Sequence, residues 1–250
     1  MLEPAPEPQP FPIANPPRTA LSHRAAALFE VVLCSGFPTQ ILLILLMAAA
    51  GMRLPSADGQ WSATYVTMLS LLDTVLVVGL IVFFLKARRE SVSDVLLGKR
   101  PISRETALGV ALFPIVFMIA VVVLGTILRF APQLHDVQRN PFEAMMQTRR
   151  DAIVFGVVAV IAGGVREEIQ RGFILHRFSQ FLGGGPVGVV VYSAVFGLGH
   201  RDQGWDTVIA VAILGAIWGT IYLIRRSIVA SMVSHSAFNL AHVMMFRALH

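Results

Sequence analysis

The chain has 250 residues, of which 55% are hydrophobic and only 14% charged, and its mean hydropathy is +0.69. Soluble domains carry about a quarter charged residues, so this composition excludes an ordinary soluble globule and reads as an all-α, polytopic membrane protein. The net charge of +5 would suit nucleic acid, but Lys and Arg fall in short loops between apolar runs, where the positive-inside rule accounts for them with no partner beyond the lipid bilayer.

Residues 1–24 are rich in Pro and Glu and lack the apolar stretch of a signal peptide. They are expected to form a disordered tail, with residues 25–250 as the transmembrane domain. Apolar runs suited to crossing a bilayer, about 20 residues each, follow in order: Ala25–Met52, Trp61–Leu85, Thr106–Leu128, Ala152–Phe181, Pro186–His200, Thr207–Ile224 and Ile228–Phe246. This predicts a bundle of about seven helices, the fourth open to a break near Gly163-Gly164, with no internal repeat. Cys34, the single cysteine, excludes a disulfide framework and a Cys-based zinc site, and reads as core filler. Gly215 and Gly219 form a GxxxG packing face.

Lys86, Arg88, Arg89, Lys99, Arg100 and Arg104 crowd the loop between the second and third runs, whereas the loop between the first and second has only Arg53. That places the N-terminus and the basic loop in the cytoplasm. By parity Arg225-Arg226 also fall inside and Arg149-Arg150 outside. A multi-pass location in an inner or plasma membrane is expected.

The chemistry concentrates in the later runs. Glu167 and Glu168 interrupt an apolar segment, with Arg171 one turn on. His200 ends the fifth run, and His235 lies inside the seventh with Asn239 on the same face at i+4. Ionisable residues within a membrane usually face a cavity and carry function. A structural account competes: the glutamates neutralise Arg166 and Arg171, and His235 with Asn239 glues helices together. Asp73 also interrupts an apolar helix, with no partner evident. An antiparallel hairpin of the fourth and fifth runs brings Glu167 level with His200.

Three segments, Arg166-Glu-Glu-Ile-Gln-Arg171, Phe196-Gly-Leu-Gly-His200 and His235-Ser-Ala-Phe-Asn239, resemble in order and character the CPBP family, the bacterial relatives of type II CAAX prenyl endopeptidases also called Abi proteins. The resemblance covers about residues 152–245. The family usually has three residues between Glu-Glu and Arg; here only Ile169 and Gln170 intervene. Either Arg171 fixes the register and Arg166 takes the first glutamate position, or the glutamates fix it and Arg171 comes one residue early.

The resemblance implies intramembrane hydrolysis of a peptide bond in a membrane-embedded or lipid-anchored protein or peptide, a CAAX-type tail being one candidate. Glu167, Glu168, Arg171, His200, His235 and Asn239 are the expected catalytic residues. A carboxylate would activate water with His200 orienting it, Arg171 would fix the second glutamate, and His235 with Asn239 would donate to the oxyanion. A metalloprotease version would use zinc on Glu167, His200 and His235; the metal-free version is preferred, because a site built from three helices is geometrically demanding. A polar intramembrane cavity also suits a proton-coupled transporter, and the same fold could serve as a non-catalytic scaffold or immunity protein.

Overall fold

The computed structural model describes residues 21–52, 62–138, 140–142, 145–146 and 148–249. The tail expected over residues 1–24 lies, up to residue 20, outside the described residues, as do Arg53 and Trp61. Among the described residues all regular structure is helical, and every one of the seven apolar runs forms helix.

The first run, expected to be continuous, is two helices: α1 (Leu21–Leu33) and α2 (Phe37–Ala49), bent by 45°. Gly36 takes a left-handed φ of 87°, open to glycine without penalty, and Pro38 starts the new helix where its missing N–H costs nothing. Helix α3 (Ala63–Ala87) is capped by Ser62, whose hydroxyl accepts from Tyr65 N–H. A short α4 (Val92–Leu96) precedes α5 (Ile102–Phe130). The fourth run is not broken at its glycines. It continues from α6 (Arg149–Val158) through an eight-residue π-helical segment, Ala159–Arg166, into α7 (Glu167–Phe181). Then come α8 (Gly185–Leu198), α9 (Trp205–Arg225) and α10 (Val229–Leu249).

Helices α3, α5 and α9 are each long and apolar enough to cross a membrane, and α1 with α2 reaches that length and apolarity only as a bent pair. Their outward faces carry Leu42, Leu45, Val75, Phe83, Val110 and Val122 exposed. So large an apolar surface suits lipid, not water. Helix α7 is different: Glu168, Gln170, Arg171 and Arg177 are all buried along it, and it touches α1, α3, α4, α8, α9 and the π segment. The charged helix sits inside the bundle and the apolar helices surround it.

Each end of the bundle has its own ion pairs. Arg100 Nε donates to Arg225 O at 3.3 Å, Arg225 pairs with Glu105 at 2.5 Å, and Arg88 pairs with Glu30 at 2.7 Å. The basic loops thus gather at one end. At the other, Asp136 meets Arg201 at 2.5 Å and His135 meets Asp206 at 2.7 Å. Helix α6 starts at this second end, as parity requires of Arg149-Arg150.

The hairpin of α7 and α8 extends past the start of α10. Helix α10 begins beside Gly172, against Ile228, so the end of α7 at Phe181 reaches about 14 Å further along the axis. Arg201 and Asp202, on the opposite side, border a surface depression with Val137 and Pro141.

Candidate active site

Small residues bring α10 against the π segment. A Cβ on Gly163 would meet the Asn239 amide nitrogen, and one on Gly164 would strike Ser236, backbone included. Gly156 faces Leu240 and Val243. This antiparallel seam presents Ser236 and Asn239 to the wide π turn and His235 to the start of α7. Asn239 Nδ2 donates to Ala159 O at 3.1 Å, the first carbonyl of a segment whose i→i+5 winding departs from the α-helix; such segments gather at functional sites.

His235 is the hub. Its Nδ1 lies 2.9 Å from Glu168 Oε1, while its Nε2 lies 3.8 Å from Glu167 Oε2. Glu168 is fully buried and ion-paired with Arg171, three residues on. A paired carboxylate only accepts, so Nδ1 carries the proton and donates. Nε2 of the neutral ring is then an acceptor. The expected donation from His235 to an oxyanion therefore needs the imidazolium, whereas the Asn239 amide keeps a second N–H beside its bond to Ala159 O.

The ring is held in plane as well. Trp218 stacks on His235 with centroids 3.8 Å apart and 18° between planes, and its indole N–H reaches Ser234 Oγ at 3.4 Å. Phe196 stands edge-on to His235 at 6.4 Å and to His200 at 5.0 Å. The Arg171 guanidinium lies 4.8 Å from the Phe196 ring, 5.6 Å from Trp218 and 5.7 Å from Tyr192, a cation–π cage that lowers the cost of burying the charge. Gly215 and Gly219 serve as expected: a Cβ on the first would sit 3.2 Å from Phe196, and on the second 3.3 Å from Leu175 and Val189.

The hairpin delivers His200 to this centre. Contacts climb α7 and α8 in opposite directions, Gly185 by Ser179, Gly188 by Leu175, then Tyr192 and Phe196 by Arg171. One more turn puts His200 level with Glu167, and the two lie within electrostatic reach. His200 Nδ1 donates to Phe196 O at 2.9 Å, which again leaves Nε2 as a free acceptor.

Between Arg166 and Arg171, Glu167 is the one polar side chain with no hydrogen bond among the described residues, and 17% of it is exposed. Its neighbours are committed. Arg166 does not neutralise a glutamate: it pairs with Asp73 at 2.7 Å, and Asp73 also accepts from Thr39 at 2.5 Å and Gln40 at 3.4 Å. Asp73 thus has partners that the sequence did not disclose. Gln170 accepts from Arg166 at 3.1 Å and from Tyr192 at 3.2 Å, and donates to Cys34 O at 2.6 Å.

Glu167, His200 and His235 do not converge as metal ligands: among the described residues no three His, Cys, Asp or Glu side chains form such a cluster. His235 Nδ1 is bonded to Glu168 and His200 Nδ1 to Phe196 O, contacts that metal-binding histidines also make through the ring nitrogen not on the metal. Glu167 and the free Nε2 atoms of His200 and His235 are the donor types that the zinc version would use.

The stretch 149–241 matches the family model for type II CAAX prenyl endopeptidase, Rce1-like. Over this stretch the chain is similar to the Rce1-like endopeptidases. No curated protein and no solved structure matches the chain. The Rce1-like segment holds all six candidate residues, the π segment, Phe196 and Trp218. Asp73, Thr39 and Gln40 lie outside it. Trp218 was missed in the sequence because an aromatic on an apolar helix looks like ordinary core; only its stack on His235 sets it apart.

Proposed function

We propose that the protein is an intramembrane endopeptidase in which Glu167 activates the attacking water, acting on a membrane-embedded or lipid-anchored protein or peptide. The observation that carries this reading is the division between two adjacent carboxylates. Glu168 is buried and paired with Arg171, whereas Glu167 is partly open and has no hydrogen bond, 3.8 Å from an imidazole nitrogen. The Rce1-like segment supports the reaction class.

A water donates one hydrogen to Glu167 and the other to His200 Nε2. Glu167 takes the first proton as the oxygen adds to the scissile carbonyl. The carboxyl O–H so formed donates to His235 Nε2, the acceptor that Glu168 has oriented. The negative oxygen of the tetrahedral intermediate accepts from the second N–H of Asn239. Collapse breaks the C–N bond, and the proton held by Glu167 passes to the leaving amine. No Ser or Cys nucleophile is required, and no step runs through a metal.

The experiment is cleavage of lipidated and unlipidated membrane peptides by purified protein in bilayers, with product termini read by mass spectrometry. Cleavage that persists in chelator and disappears in Glu167→Gln is expected. Transport of a solute with no peptide product would contradict the reading.

A further inference from the structure

We propose that Asp73, outside the Rce1-like segment, is a positioning residue that sets the rotation of α7 and so aims Glu167; the activity arm of this proposal rests on the endopeptidase reading.

A carboxylate in the middle of α3 needs a reason. The helix is among the most apolar in the chain, and Asp73 is fully buried within it. Charge at such a site is retained only where partners meet it and something depends on it. Its partners come from two other elements. Thr39 and Gln40 reach it from α2, and Arg166 reaches it from the last position of the π segment.

That last position is where register is decided. Each residue turns an α-helix by about 100°, so a slip of one residue at the π-to-α junction would carry Glu167 away from His235 Nε2 and present Arg166 or Glu168 instead. Two sets of contacts oppose such a slip. On one side Glu168 meets His235 of α10. On the other, Arg166 and Gln170, one turn apart, meet Asp73 of α3, Cys34 O and Tyr192. Glu167 stands between the two locks. Gly36 makes room for the second: a Cβ there would sit 3.3 Å from Gln170 Nε2 and 3.7 Å from Arg166 Nη1.

The test separates aiming from folding. Asp73→Leu combined with Arg166→Met removes both charges together, so that neither is left buried alone. In the full-length protein this pair is expected to keep the wild-type melting temperature within a few degrees and to leave KM unchanged. Its kcat should fall about a hundredfold, as for a catalytic group displaced by roughly 1 Å. Asp73→Glu, which keeps both acceptor oxygens and the charge but sets them one methylene further out, should lose less, again in kcat, and decides the matter if the double variant does not fold. A folded variant with unchanged kcat overturns the proposal. A second arm needs no activity: ¹⁵N spectra of histidine-labelled protein, with the His235 signals assigned by His235→Gln, should show those signals shifted in the Asp73 variants. If the wild type cleaves nothing, the endopeptidase reading fails while this arm still decides the positioning, and unshifted His235 signals overturn it.

Discussion

Glu167 and Glu168 are neighbours in the chain but address opposite nitrogens of one imidazole. Glu168 Oε1 is 2.9 Å from His235 Nδ1, and Glu167 Oε2 is 3.8 Å from His235 Nε2. The first carboxylate is fully buried against Arg171 and the second is not. Successive residues point about 100° apart on a helix, so a Glu-Glu pair can straddle a ring that a spaced pair would meet from one side only.

The buried pair makes a stability prediction. Arg171→Met leaves Glu168 buried with no cation, and breaking one half of a buried pair costs about 3–5 kcal/mol. Arg171→Lys should recover only part of this, because a compact ammonium does not fill the cage of Phe196, Trp218 and Tyr192 as a planar guanidinium does. Thermal unfolding in detergent measures both. Wild-type stability in Arg171→Met would refute the role given to the pair.

The seam between α10 and the π segment makes another. A Cβ on Gly164 would strike Ser236, so Gly164→Ala should cost roughly 1–3 kcal/mol, as overpacking does. Gly79→Ala serves as the control, since nothing lies within 4 Å of a Cβ at Gly79. Equal melting temperatures for the two variants would contradict this packing.

Much of this was legible before the structure. Apolar run lengths located the long helices, though not the short α4, and charge in the wrong place singled out Glu167, Glu168, His200 and His235. Counting residues from the Gly183–Pro186 turn placed Glu167 level with His200. Three things were not legible. The bend at Gly36 lies inside an unbroken apolar run, and its cue, Gly followed at two residues by Pro, is weak within a membrane span. The Arg166–Asp73 pair joins residues far apart in the chain, and two glutamates lying closer to Arg166 supplied a nearer but wrong partner. The donor and acceptor roles of His235 depend on which nitrogen Glu168 occupies, and spacing carries no such information.

The segment after α5 is pinned by a carboxylate whose titration sets its acid limit. The backbone N–H of Trp205 holds the Asp136 carboxyl below its usual range, against desolvation and with Arg201 adding to the lowering. A folded-state value below the unfolded one gives stabilisation that is complete above about pH 4 and is lost as pH falls through the lower folded value. Hydrogen exchange at the Trp205 amide, corrected for intrinsic rate, should therefore accelerate only in acid, and Asp136→Asn should weaken its protection at neutral pH. Acceleration already at pH 6 would contradict this.

Orientation can be read by labelling. Cys34 is fully buried, so single cysteines elsewhere report cleanly. We predict that Arg89→Cys and Arg226→Cys react only from the cytoplasmic side, and Arg149→Cys only from the opposite side. The reverse pattern would invert the bundle.

The most direct measurement is single-turnover cleavage by Glu167→Gln and Glu168→Gln, each with its melting temperature. Glu167→Gln should keep the wild-type melting temperature and lose about 10²–10⁴-fold in rate, the worth of a general base. Glu168→Gln should lower the melting temperature and retain measurable turnover. Wild-type turnover in Glu167→Gln, with cleavage lost only in Glu168→Gln, would contradict the account.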